Sequence, residues 1–300
     1  MKLQTILLFF ALALVFWMVY AKMVRPLHPY SEGFTQGQKY LLKENKNAYD
    51  AFYAGVHDSI YCSKQRAAFD IMTAFNATQP SVNHSRVLDM GSGTGCLIAL
   101  LRGRGYRAYG IDRSDAMSDA AEVKCGACDD GASNERIINR TDMMDAMAFD
   151  KQSFSHAFCT GFTLYEVEDK NKLFANAYSW LQPGGHFIVH VVDPKEFRRI
   201  VPVARPAFNV AGPKRVNKCR VQFDGFTYDA EYAGKGETVT LKEKFTDMET
   251  NKVRVNEIAL RMPEPGTIET IARNAGFILK GKAHMKKAGD SKQWLYTFER

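Results

Sequence analysis

The sequence lacks a disulfide framework: its six cysteines, at positions 62, 96, 125, 128, 159 and 219, keep no regular spacing, and reduced thiols are the simpler reading. Cys125-Gly126-Ala127-Cys128 has no second Cys-x-x-Cys or His pair to complete a zinc site, so no metal is expected. Charge of one sign is missing too. The net charge of +7 is spread over interspersed acids and bases, which gives no argument for a nucleic-acid partner. A full-length membrane span is nearly absent: the apolar run 6–21 has 16 residues, where a spanning helix needs roughly 17 to 25. Snorkelling Lys2 and Lys22, with Trp17 and Tyr20 at the interfaces, would close that gap. Residues 1–25 therefore read as an uncleaved N-terminal hydrophobic helix that anchors the chain to a membrane. Lys22, Arg25, Lys39, Lys43 and Lys46 outnumber Lys2 and keep the rest of the chain in the cytosol. A cleaved signal and a secretory location is the alternative.

What is present is organised around Arg86-Val87-Leu88-Asp89-Met90-Gly91-Ser92-Gly93-Thr94-Gly95. The apolar run reads as a buried parallel strand, and Cys96-Leu97-Ile98-Ala99-Leu100-Leu101 as a helix packed on a sheet. The glycines between them let a ligand lie against bare main chain above the helix N-terminus. Glycine spacing alone is weak, because phosphate and nicotinamide sites share it. Asp89 sharpens it: a pyrophosphate there meets like charge, whereas a ligand carrying an ammonium group is attracted. Cys96 also stands where the dinucleotide fingerprint wants its third glycine. A second strand, Ala108-Tyr109-Gly110-Ile111-Asp112, ends in an acid at the separation of a ribose-binding carboxylate.

On these residues, positions from about 87 to 192 resemble a class I S-adenosylmethionine-dependent methyltransferase of the Rossmann-like, small-molecule type. The resemblance implies that Asp89 lies near the methionine amino group, that Gly91, Ser92, Gly93 and Gly95 line its path, and that Asp112, with Arg113 beside it, holds the ribose. Thr141-Asp142-Met143 resembles the family's acid after strand three, near the adenine amine. Trp180-Leu181-Gln182-Pro183-Gly184-Gly185-His186-Phe187-Ile188-Val189-His190 is similar to its helix, Pro-Gly-Gly turn and fifth strand. The fold implied is α/β: a doubly wound, mostly parallel sheet with an antiparallel last strand, and the cofactor implied is S-adenosyl-L-methionine.

Residues 26–46 are polar, with Pro, Gly and Lys, and read as a surface linker. From residue 47 to the end the chain reads as one domain. Residues 47–58 resemble the family's lid over the cofactor. Tyr49, Phe52 and Tyr53 share one helical face; Tyr49 is a candidate cofactor contact and Tyr53 a candidate active-site residue, although rings covering a sheet read the same way. A helix over 64–78 completes this lid region, 47–80, and the core spans 81–200. Within the core a helix capped by Ser114 runs to 123, a third strand covers 136–138 and a fourth 153–160. Loops after strands one and four face each other in an open sheet, so Phe162, Thr163 and Tyr165 should border the methyl group or substrate, with Tyr165 a candidate catalytic residue and Thr160 and Phe162 candidate cofactor contacts. A helix over 170–181 stops at Pro183-Gly184-Gly185. His190 ends strand five and is a candidate base or a satisfied structural histidine. Within 205–262, four stretches alternating with period two read as an inserted antiparallel meander, with Arg220, Lys242, Glu243, Arg254 and Glu257 on its solvated face. A helix over 268–275 and two closing strands finish the chain.

Methyl transfer from a sulfonium is an in-line displacement in which the protein mostly positions, so no compulsory catalytic side chain is needed. The Asn/Asp-Pro-Pro-Tyr/Phe signature of nucleic-acid and protein amide methylation is replaced by Cys159-Thr160-Gly161-Phe162, which favours a small-molecule acceptor. A lipid or protein methyltransferase, or a membrane-tethered scaffold that lost turnover, are the rivals. The resemblance fits a monomer or a homodimer.

Overall fold

The computed structural model describes residues 34, 39–61, 63–126, 136–195, 218–234, 237–285 and 292–300. The expected N-terminal anchor lies outside them. Among the described residues no helix is long and apolar enough to cross a membrane.

The aliphatic runs read from the sequence become the middle of a seven-stranded sheet. In chain order its strands are β2 (Arg86–Met90), β3 (Arg107–Ile111), β4 (Ile138–Asn139), β5 (Phe154–Cys159), β6 (Leu181–Val192), β11 (Ile278–His284) and β12 (Gln293–Glu299). They lie in the order β11-β12-β6-β5-β2-β3-β4. β2 through β6 are mutually parallel, and β12 runs antiparallel to β6, as expected. The strand order reverses between β2 and β5, so their carboxyl ends form the crevice where ligands bind in open α/β sheets.

Helices cover both faces of this sheet. On one, α2 (Ser63–Thr78) and α3 (Cys96–Arg102) bury Ala67, Ile71, Leu97, Ile98 and Leu101 against Val87, Phe158 and Ile188. On the other, α6 (Lys170–Trp180) and α7 (Pro265–Asn274) bury Leu173, Phe174, Trp180 and Ile268 with Phe187 and Phe298. Each leucine, isoleucine or phenylalanine among them contributes about 1.5–3 kcal/mol on leaving water. The Ser114 cap acts as read, its Oγ accepting from Met117 N at 3.2 Å to begin α4 (Asp115–Cys125); Asp169, which the sequence reading did not mark, accepts from Lys172 N at 3.0 Å to begin α6.

The meander is a second sheet, ordered β1-β10-β9-β8-β7, from β7 (Lys218–Gln222), β8 (Phe226–Ala233), β9 (Thr238–Asp247), β10 (Val253–Arg261) and β1 (Tyr40–Glu44). The expected linker is corrected here, because residues 40–44 pair in parallel with β10 and occupy its free edge. The solvated-face reading is corrected as well. Glu243 and Arg254 are fully buried, whereas Lys242–Glu257 and Arg220–Asp229 are the expected outward pairs. Tyr49 is not on the helix with Tyr53: a 3-10 turn over Asn45–Ala48 precedes it, and Asp50 Oδ1 accepts from Tyr53 N at 3.2 Å to start α1 (Ala51–Tyr61). α1 lies between the two sheets, its Phe52 ring edge-on to Phe245 of β9 at 5.0 Å.

Candidate functional site

The glycine turn after β2 is folded by its own backbone. Gly91 N and Ser92 N both donate to Ile111 O, at 2.9 and 3.1 Å, which draws the turn against the end of β3. Gly91, Gly93 and Gly95 all have positive φ. Their surroundings differ. A Cβ on Gly95 would sit 2.8 Å from Ala121 Cβ, so this glycine serves the packing of α4, and a Cβ on Gly91 would meet Thr163 Cγ2 at 2.4 Å and Met143 Cε at 3.3 Å. Of the three, Gly93 alone keeps open space, with nothing within 4 Å.

Two carboxylates flank that turn. Asp112 Oδ2 accepts from Gly93 N at 2.8 Å and Oδ1 from Ser114 N at 2.9 Å. Burial raises its pKa and these two backbone donors pull it down. A carboxylate has about four acceptor positions, so fixing the group leaves room for two vicinal hydroxyls. Asp89 is different: it is 6% exposed, and among the described residues no hydrogen bond or cation reaches it. Burial first, and then the charges of Asp112 and Asp70, push its pKa up to about 8. A buried carboxylate without a partner is costly, and an ammonium group placed beside it would offset that cost. Further along the crevice, Asp142 Oδ1 accepts from Met144 N at 3.0 Å and Oδ2 stands 3.5 Å from Arg113 Nη1. Met143, adjacent, is held through its carbonyl by Asn176 Nδ2 at 2.9 Å.

The loop after β5 contributes the opposite wall. Thr160 O accepts from Thr163 N at 3.4 Å, and Thr163 starts the short helix α5 (Thr163–Glu166). Phe162 spans from this loop to the second sheet, 5.3 Å from the His190 ring and 6.5 Å from Tyr232. Two residues expected near the chemistry are engaged inside the protein. Tyr165 Oη, fully buried, accepts from Val192 N at 2.7 Å, and burial pushes its pKa up. His190, also fully buried, contacts Gly161 O through Nδ1 and Gln293 Oε1 at 2.8 Å through Nε2, so neither ring nitrogen is open to a ligand.

Tyr49 and Tyr53 lie side by side, their rings 5.4 Å apart, and both hydroxyls donate to carboxylates that the sequence reading did not count as site residues. Tyr49 Oη donates to Glu166 Oε1 at 2.6 Å and Tyr53 Oη to Glu243 Oε2 at 2.6 Å. Tyr49 is tied to the start of α4, next to Asp112, by its carbonyl, which accepts from Ser114 Oγ at 2.6 Å. Period-two parity would have found Glu243, since it shares a face with Val239, Leu241 and Phe245; nothing local marked Glu166. Asp58, likewise unremarked, ties α1 to the glycine turn, accepting from Thr94 Oγ1 at 2.5 Å and pairing with Lys124. Burial alone would raise its carboxyl, but His57, Lys124 and Thr94 hold it well below the usual range.

A Rossmann-like sheet, an acid-flanked glycine turn at the strand-order reversal and an antiparallel final strand define the fold of the S-adenosylmethionine-dependent methyltransferases. Residues 87–185 match the family model of a methyltransferase domain. Among solved structures the chain is similar to an S-adenosylmethionine-dependent methyltransferase from Clostridium acetobutylicum ATCC 824, at 17% identity over 82% of this chain and 97% of that one, with a TM-score of 0.61. It is also similar to the CcbJ methyltransferase from Streptomyces caelestis (19% identity, 84% and 97%, 0.59). A third is an amino pentose methyltransferase of calicheamicin biosynthesis from Micromonospora echinaspora, solved with S-adenosylmethionine bound (17%, 84% and 97%, 0.57). No curated protein matches the chain in sequence.

Proposed function

We propose that the protein transfers a methyl group from S-adenosylmethionine to a small-molecule acceptor. The observation that carries this reading is Asp89, a buried carboxylate at the mouth of the crevice that no described residue neutralises. The residues present fit the cofactor: Asp89 would take its ammonium group, Gly93 with Ser92 its path, and Asp112 its ribose hydroxyls. Arg113, Asp142 and Met143 would flank the adenine, with Tyr49, Thr160 and Phe162 closing the remaining walls. The cofactor supplies the electrophilic methyl and its own leaving group. The chain supplies alignment, and holding nucleophile and methyl about 3–3.5 Å apart and in line accounts for several kcal/mol. With Tyr165 and His190 engaged in the core, this reading asks no acid–base step of them. Cys159-Thr160-Gly161-Phe162 at the end of β5 supports a small acceptor over a nucleic-acid base or protein amide.

Two measurements test it. S-adenosylhomocysteine should bind the wild-type chain in a calorimeter, and Asp112→Ala should weaken binding by roughly 10- to 100-fold, the loss of charged hydrogen bonds. Radiolabelled methyl from the cofactor should enter the small-molecule fraction of a cell extract. Unchanged affinity in Asp112→Ala removes the ribose assignment, and label found only in lipid, protein or nucleic acid removes the acceptor class.

A further inference from the structure

Where α1 faces the second sheet, a carboxylate and three phenols meet. Glu243 Oε1 accepts from Tyr228 Oη at 2.7 Å and from Tyr61 Oη at 3.5 Å, and Oε2 accepts from Tyr53 Oη at 2.6 Å. Burial pushes the Glu243 carboxyl up, the Tyr53 and Tyr228 donors pull it back towards its ionised form, and no cation among the described residues is in contact with it. The nearest buried guanidinium, Arg254, is committed to Asp50 at 2.8 Å, Ala48 O at 3.0 Å and Asn256 Oδ1 at 3.0 Å. Asn256 stands opposite Glu243 in the β9–β10 ladder, fully buried, and its Nδ2 lies near that carboxylate without closing a hydrogen bond. His57, from α1, turns its Nδ1 towards Asp58 Oδ1 at 3.6 Å, and its ring stacks on Tyr61 at 4.8 Å. Tyr53, Tyr228 and Glu243 form a buried floor, while Tyr49, His57, Tyr61 and Glu166 remain half-buried and give the cluster an open side. That side adjoins the crevice, because Glu166 lies three residues beyond Thr163, the side chain packed over Gly91.

We infer that this cluster is the acceptor subsite and that the acceptor is an amine, its protonated nitrogen held between Glu166 and the Glu243–tyrosine floor. The inference rests on the methyl-transfer reading above. Charge decides the class. With Asp89 given to the cofactor's ammonium, Asp112, Glu166 and Glu243 remain at this end of the crevice, and the arginines at its edge are spent, Arg113 on Asp142 and Arg254 on Asp50. An anionic acceptor is repelled there, a neutral alcohol gains little, and an ammonium ion supplies the missing positive charge. The same carboxylate that draws the ammonium in can release its nitrogen for reaction. One N–H proton passes to the Glu166 carboxylate, freeing the nitrogen lone pair. The N–C bond then forms as the methyl–sulfur bond breaks, with its electron pair left on sulfur, and Glu166 returns the proton to water. Burial pushes the Glu166 carboxyl up to about 7, with Asp112 and Glu243 raising it and the Tyr49 hydroxyl and Arg113 lowering it, which suits proton uptake near neutral pH.

The test uses three probes of one shape on the full chain loaded with S-adenosylhomocysteine: cyclohexylamine, cyclohexanol and cyclohexanecarboxylate, titrated by ligand-observed NMR. The amine should bind about tenfold tighter than the alcohol, with the carboxylate weakest. E243Q should erase most of that preference while S-adenosylhomocysteine affinity stays as in wild type, and Y228F, which keeps the charge but drops one donor, should erase less of it. Equal binding of amine and alcohol, or a preference untouched in E243Q, overturns the amine subsite while the methyl-transfer reading stands. Wild-type protein that fails to bind S-adenosylhomocysteine removes both.

Discussion

The three glycines of the turn look alike in the sequence and do different work. Gly95 gives α4 its approach: Ala there would carry a Cβ 2.8 Å from Ala121 Cβ on a backbone at φ +74. Gly93 keeps a Cβ out of the crevice, where no protein atom would meet it. Gly93→Ala should therefore cost only conformational strain, about 1 kcal/mol, yet lower S-adenosylhomocysteine affinity tenfold or more. Gly95→Ala adds a clash to that strain and should lose about 2–4 kcal/mol of stability. Urea denaturation and calorimetry on both variants separate the effects. Gly93→Ala proving the less stable of the two would reverse these roles. Asp89 makes the same point in charge: its residue type was legible, but that it lies buried with no partner depends on β3 and α2 bringing Asp112 and Asp70 near.

At the scale of elements, α1 is a strap. It is fixed to the cofactor turn through Asp58 and to the second sheet through Tyr53, and Arg254 fixes the turn before it by binding Asp50 and Ala48 O under the Phe52 ring, 4.8 Å away. Arg254→Leu removes the buried guanidinium from Asp50, Ala48 O and Asn256 Oδ1, leaving Asp50 only Tyr53 N and Lys43 and Ala48 O only Asp50 N, so stability should fall by about 2–4 kcal/mol. Tyr49 should lose its place with it, weakening cofactor binding. A denaturation midpoint equal to wild type would show that Phe52 packing alone seats the strap. The core strands were legible because buried parallel strands are unbroken aliphatic runs closed by glycine. The second sheet was legible in period and wrong in sign at two positions. Charge suggested the solvent, while parity placed Arg254 with Ile258 and Leu260, and Glu243 with Leu241 and Phe245. Parity is the stronger guide, since a strand cannot turn one side chain outward without shifting all the others. β1 and Glu166 carried no such signal: one is an edge strand defined by its partner β10, and the other is a single acid placed by a four-residue helix.

For the whole molecule, several groups hold protonation states that the unfolded chain would not. His156, stacked on His186 at 5.3 Å, is kept neutral by burial and then by its neighbour, its pKa lowered to about 4. The unfolded chain binds the extra proton first, so stability falls as pH drops from about 6.5 towards 4. Asp89, near 8, and Glu166, near 7, act in the opposite direction. Their native forms keep protons that the unfolded chain releases above about 4, so each withdraws stability as pH rises, until its folded pKa is passed. Between about 4 and 6.5 the two trends oppose each other, and from 6.5 to about 8 the acids prevail. Beyond that, Lys170, its amine lowered to about 8 by burial, turns the slope upward, and from pH 6.5 to 8 the ligand-free protein should lose stability. S-adenosylhomocysteine should reverse that slope, because its ammonium group binds the ionised Asp89 and its affinity rises over the same interval. Melting curves at half-unit steps, with and without ligand, read both slopes together. In Asp89→Asn the ligand-dependent slope should vanish while the loss below 6.5 remains, because His156 is untouched. A ligand-dependent slope surviving in that variant would move the ammonium away from Asp89 and with it the orientation of the cofactor along the turn.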